Sequence, residues 1–189
     1  MGIQTAPAVL DGLACDLARI FGVSCHVRLD SLDPAFAFDR RRSQYYSTAI
    51  LQKMQRLAAG DARLLAVTSL DLYVPVLTFV FGEAQLDGSC ALVSLHRLEE
   101  PFYGLPANPD LTHDRLVKEA VHELGHTFGL LHCDDWQCVM TSSHSVERVD
   151  VKGAEFCRSC QHLVTANVLS HAKDRRQHPQ PVQGPRAAN

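Results

Sequence analysis

Apolar residues recur at helical spacing near the start of the chain. Leu10, Leu13, Ala14, Leu17 and Ile20 predict a helix over 7–21, ended by Gly22. From 23 to 29 the pattern changes to strict alternation (Val23, Cys25, Val27, Leu29), which predicts a half-buried strand. After a turn at Pro34, Phe36 and Phe38 belong to a short extended piece. Helical spacing returns with Tyr46, Ile50, Leu51, Met54 and Leu57, predicting a second helix over 44–59, capped by Ser43 and followed by Gly60. Three strand candidates follow at 64–74, 78–81 and 90–98, with a loop or ribbon over 82–88. Residues 99–109, with Pro101, Gly104, Pro106 and Pro109, read as an irregular connection. A further helix is expected over about 112–129, with Thr112 as its cap and Asp114 in its first turn. Its apolar stripe is Val117, Val121, Leu124 and Phe128. Beyond Cys160, residues 163–169 suit one or two helical turns. The polar, Pro-containing stretch 173–189 reads as a disordered tail.

Composition narrows the classes. A chain of 189 residues holds one domain with a real core, with room for two lobes around a cleft. A formal net charge of −3 gives no footing for a nucleic-acid or anionic-membrane partner. Arg40-Arg41-Arg42 is too small a basic run to change that and reads as a solvated turn. No apolar run is long enough to span a bilayer. Asp11 and Asp16 interrupt what would have to be a signal segment, and Ala6 stands where a myristoylation motif needs Ser or Thr. The expectation is a cytoplasmic, reduced monomer. In that setting seven cysteines are metal ligands or core residues rather than a disulfide framework.

The unusual chemistry lies in the stretch from Val121 to Cys133. His122 and His126 are four apart and share one helix face, where they can grip one metal ion. Glu123 stands beside the first of them, where it can reach a water bound to that metal. Gly129 lets the helix stop and the chain turn back, offering His132 as a third ligand. This H-E-x-x-H-x-x-G-x-x-H pattern is the metzincin zinc-peptidase signature. Three neutral imidazoles leave zinc one open position for water, whose proton Glu123 would take as general base and later deliver to the leaving amine.

A second constellation begins one residue on. Cys133 and Cys138 have four residues between them, Cys157 and Cys160 have two, and eighteen residues separate the pairs. Four thiolates make a closed tetrahedral site for a structural zinc. Cys15, Cys25 and Cys90 fall on helix or strand patterns and are expected as small core residues. Because His132 and Cys133 are adjacent, their side chains would point to opposite sides, one to each ion.

With Met140 two residues after Cys138, the run from His122 to Cys160 resembles the archaemetzincin family. Similarity extends upstream through Asp71-Leu72-Tyr73-Val74-Pro75, Phe79-Val80-Phe81-Gly82-Glu83-Ala84 and Val93-Ser94-Leu95. The resemblance implies an α+β metzincin-like fold, with a mixed twisted sheet and the active-site helix in an upper lobe (1–129) and a small zinc-stabilised lower lobe (130–172). It implies Met140 in a tight turn beneath the catalytic zinc. It also implies two zinc ions per chain: a catalytic one on His122, His126 and His132, with Glu123 as general base, and a structural one on Cys133, Cys138, Cys157 and Cys160.

The reading is a zinc-dependent metallopeptidase acting on peptides or proteins, with residues 90–98 as the edge strand bordering the cleft. The alternative is a zinc-bound peptide-binding module with little or no proteolytic activity, which would have no need of Glu123. His144, shortly after Met140, is a candidate for facing the cleft.

Overall fold

The computed structural model describes residues 7–58 and 62–177, the last eight by backbone alone. The first helix is as expected: α1, Pro7–Phe21, buries Leu13, Leu17 and Phe21, and Gly22 at φ +65° ends it. The site is built around a sheet of three strands, β3 (Leu64–Thr68), β5 (Gly82–Ala84) and β6 (Cys90–Ser94), in the order β3-β6-β5. β3 runs parallel to β6, with Leu64 opposite Cys90 and Thr68 opposite Ser94; β5 is antiparallel, with Gly82 opposite Val93. Alternate residues face opposite sides of a sheet, and each side has its own core. Ala91 and Val93, with Leu65, Val67 and Ala84, pack toward α1 and the long helix α3 (Pro109–Thr127). Cys90 and Leu92, with Leu64 and Ala66, pack against Ile50, Leu51 and Met54 of α2 (Ser47–Met54). A strand covered on both faces has to be apolar throughout, and all five residues of β6 are buried.

A second small sheet joins β1 (Phe38–Asp39), β2 (Gln44–Tyr46) and β4 (Leu72–Tyr73). It accounts for several departures from the expected pattern. The helix expected over 44–59 begins only at Ser47, because Gln44–Tyr46 form a strand, Gln44 paired with Asp39 of β1 and Tyr45 and Tyr46 paired with β4. Ser43, at φ +54°, does not cap it. The strand expected over 64–74 splits between the two sheets. Asp71 sits at the break, clasped by Arg97 at 2.6 and 2.8 Å and by Gln44 at 3.0 Å. Of residues 78–81 only Val80 bridges to Leu72, and the strand proper starts at Gly82. Residues 23–29 form no strand: they pair with nothing, and Val23, Val27 and Leu29 are exposed. Phe36 lies in a 3-10 turn, Ala35–Ala37. Cys15 and Cys25 are exposed rather than in the core, while Cys90 is fully buried as expected.

α3 starts earlier than Thr112. Asn108 is its cap, its side-chain oxygen accepting from Leu111 N at 3.1 Å, with Pro109 and Asp110 in the first turn. These are the residue types that satisfy orphan N–H groups and favour a helix start. After α3 come α4 (Val146–Val151) and α5 (Arg158–Gln177). α5 runs well past 163–169 and takes in 173–177 of the stretch read as a tail; 178–189 lie outside the described residues. Residues on either side of the 129/130 boundary share one apolar cluster, in which Leu130, Val139, Met140, Val149 and Val164 meet Val121, Leu124 and the sheet.

Candidate metal centres

α3 is buried on two faces of different character. Val117, Val121, Leu124 and Phe128 are buried among the core residues. Glu119, His122, Glu123 and His126, spaced i, i+3, i+4, i+7, form a polar stripe, three of them 3–6% exposed and His126 half-buried. The helix ends in a Schellman turn: Leu130 N donates to Gly125 O at 3.1 Å and Gly129 N to His126 O at 2.9 Å, with Gly129 at φ +81°. That turn brings the Leu130 carbonyl to His126, whose Nδ1–H donates to it at 2.7 Å. His122 Nδ1–H donates to Val139 O at 2.8 Å. A carbonyl only accepts, so both rings carry their proton on Nδ1 and turn an Nε2 lone pair inward.

Those two Nε2 atoms are 3.2 Å apart. Two lone pairs at that distance repel unless a cation sits between them. Tetrahedral zinc at roughly 2.0–2.1 Å from each nitrogen would set them about 3.3 Å apart. His132 completes the group. Its ring lies 5.3 Å from that of His122 and 5.1 Å from that of His126, and one nitrogen from each of the three falls within 4.8 Å of the others. Burial lowers the pKa of all three, most strongly at His122, keeping them in the neutral form that ligates. His132 is the exposed member, on the solvent side. His144 is exposed too, and its charge is among those that lower His132, after burial and Lys152.

Glu123 lies against the backbone of β5. A Cβ on Gly82 would fall 2.6 Å from Glu123 Cγ and 2.7 Å from its Oε1. Burial pushes the Glu123 carboxyl well above the usual range, the Glu119 charge adds to this, and Lys152 opposes it. The strand beside this carboxylate is therefore β5, the outer strand of its sheet, while β6, expected at the cleft edge, is central. Met140 is fully buried beneath α3, its Sδ close against Gly125, where any side chain would collide with it.

The four cysteines gather as the spacing predicts. Their Sγ atoms lie within 4.8 Å of one another, and Cys133 and Cys157 are 3.8 Å apart. That is far beyond a disulfide and is the separation of two thiolates at about 2.3 Å from one tetrahedral zinc. Cys157 N donates to Cys138 Sγ at 3.3 Å. The backbone N–H of Cys160 draws the Cys157 thiol below its usual pKa, whereas burial raises Cys138 and Cys160. The donor sets of both clusters fit zinc. A short strip joins them: Val139 O accepts from His122, and Met140 O accepts from Cys133 N at 3.0 Å.

Sequence reasoning did not single out Glu119, Gly82 or Lys152. Glu119 was within reach, since it stands three residues before His122 on one helix face. Lys152 gives no local signal, because only the fold carries α4 back to α3.

Comparison with known proteins adds the following. A model of peptidase family M54 matches residues 19–166. The archaemetzincin of Methanocaldococcus jannaschii is 42% identical over 153 residues, covering 80% of this chain and 83% of that one. The crystal structure of archaemetzincin from Methanopyrus kandleri superposes with a TM-score of 0.79 at 38% identity, covering 88% and 89%. A zinc-dependent peptidase from Methanocorpusculum labreanum superposes with a TM-score of 0.79 at 31% identity, covering 85% and 96%.

Proposed function

The chain belongs to peptidase family M54, with the archaemetzincins, and on the premise that it is a zinc metallopeptidase we propose which residues carry the reaction. His122, His126 and His132 hold the catalytic zinc, and Cys133, Cys138, Cys157 and Cys160 hold a second, structural one. When bound, the catalytic ion supplies a Lewis acid that acidifies a water and polarises the scissile carbonyl. Glu123 takes the proton of the attacking water and passes it to the departing amine. The peptide lies along β5. Ser94 N donates to Phe81 O and Gln85 N to Cys90 O. That phase turns the backbone groups of Gly82 and Ala84 away from β6 and leaves them for a substrate strand. The observation that carries this reading is the facing pair of Nε2 lone pairs, 3.2 Å apart, with Glu123 buried beside them.

A peptide mixture incubated with the protein and read by mass spectrometry tests the reading. Cleavage should appear, vanish with a chelator and return with zinc. An untouched mixture at every zinc level would leave the peptide-binding alternative.

Gly82 offers a narrower test. Gly82→Ala forces a methyl between the strand and Glu123, and also 2.6 Å from Leu92 O. Overpacking of this kind costs roughly 1–3 kcal/mol of stability, and a displacement of about 1 Å of a reacting group costs on the order of 10²-fold in rate. Denaturant midpoint and kcat should both fall. If neither moves, β5 does not confine Glu123.

A further inference from the structure

The polar stripe of α3 holds a fourth group that the reaction does not use. Glu119, one turn before Glu123, is 3% exposed, and so is Lys152, the residue that ends α4. Lys152 Nζ lies 2.8 Å from Glu119 Oε1, in an ion pair whose side chains are 1% and 4% exposed. The oxygen lies off the direction of a hydrogen bond, so the contact is charge to charge. Nζ also reaches Thr141 O at 3.4 Å. Three successive carbonyls beside Met140 are then engaged: Val139 O by His122 Nδ1, Met140 O by Cys133 N, and Thr141 O by Lys152 Nζ.

Two desolvated charges holding each other generally stabilise a fold no better than two apolar side chains of the same volume. What the pair adds here is connection. It ties the strip that orients His122 to the helix that carries His122. We propose that Lys152 is a positioning residue for the catalytic metal: anchored by Glu119, it holds residues 139–141 against α3 and so fixes the ring of His122. This rests on the assignment of His122 as a zinc ligand. Partners that orient a ligand from behind typically affect metal affinity by about 10–100-fold.

The test compares wild type, Lys152→Met and the double variant Glu119→Met/Lys152→Met, all with zinc in the cysteine site. The double variant leaves no unpaired buried charge and keeps the fold measurable. Zinc affinity of the histidine site is read by competition with a chelator. The geometry there is read by the absorption of cobalt(II) loaded at the histidines alone, since zinc held by the cysteines is colourless. Affinity should fall about 10–100-fold in both variants, with an altered cobalt spectrum at the histidines and the zinc of the cysteine site retained, and kcat should fall more than KM rises. A folded double variant with wild-type zinc affinity and cobalt spectrum would overturn the proposal, reducing the pair to a structural contact. A wild type that takes up no metal at the histidines would overturn both this and the proposed function. An affinity loss in the variants, with no peptide cleaved even by wild type, would sustain this inference and sink that function.

Discussion

Glu123→Gln should lower peptide hydrolysis by about 10²–10⁴-fold, the usual contribution of a positioned acid–base group, while zinc content and fold remain. The side chain is 6% exposed and packed against Gly82, so glutamine fills the same space without displacing β5. Its amide cannot accept a proton from the attacking water or return one to the amine. Stability should hold or rise. Burial, with Glu119 nearby, already disfavours the ionised carboxylate, and a neutral amide removes that cost. The measurements are kcat/KM on a cleaved peptide, zinc per chain and the thermal midpoint. Wild-type turnover in a zinc-loaded variant would remove Glu123 from the chemistry. A variant that loses zinc along with activity would point to a role in holding the metal instead.

Cys160→Ser should have the larger structural effect. Between α3 and α5 the chain has one short helix of six residues, α4, and much of the rest is irregular. Such a segment has few backbone bonds of its own, and metal binding to four thiolates contributes on the order of 10 kcal/mol to folding. The loss should reach the histidine site, because Cys133 follows His132 and its N–H holds Met140 O. Thr141 Oγ1 holds Cys133 O from the other side at 3.1 Å. The expected result is a fall of both zinc ions per chain and a much lower, less cooperative thermal transition, read by metal analysis and circular dichroism. One zinc retained at the histidines with full activity would mean that the two sites are independent.

What could be read in advance follows from the range over which each signal acts. The histidine and cysteine clusters were legible because their spacing is a statement about local backbone: i, i+4 on a helix, a glycine turn, two short-spaced cysteine pairs. The core face of α3 was legible for the same reason. Residues 23–29 misled because alternation shows only that a stretch could be a strand, and this one finds no partner. Ser43 misled because a capping residue acts only if the helix begins beside it, and the pairing of Tyr45 with Leu72 takes the next three residues for a sheet. Cys15 was placed inward on α1, but the buried stripe there is Leu13, Leu17 and Phe21, and position 15 falls outside it. Lys152 and Gly82 act through contacts between segments far apart in the chain, which no local pattern encodes.

The turn at Gly129 has one more consequence. It delivers the carbonyl that takes the Nδ1 proton of His126, so the tautomer of that imidazole is chosen by a backbone dihedral. A residue unable to hold φ +81° would withdraw the carbonyl and let the proton move to Nε2, putting an N–H where a lone pair is needed. The acid–base state of a histidine in the candidate metal centre is thus written into a position that has no side chain.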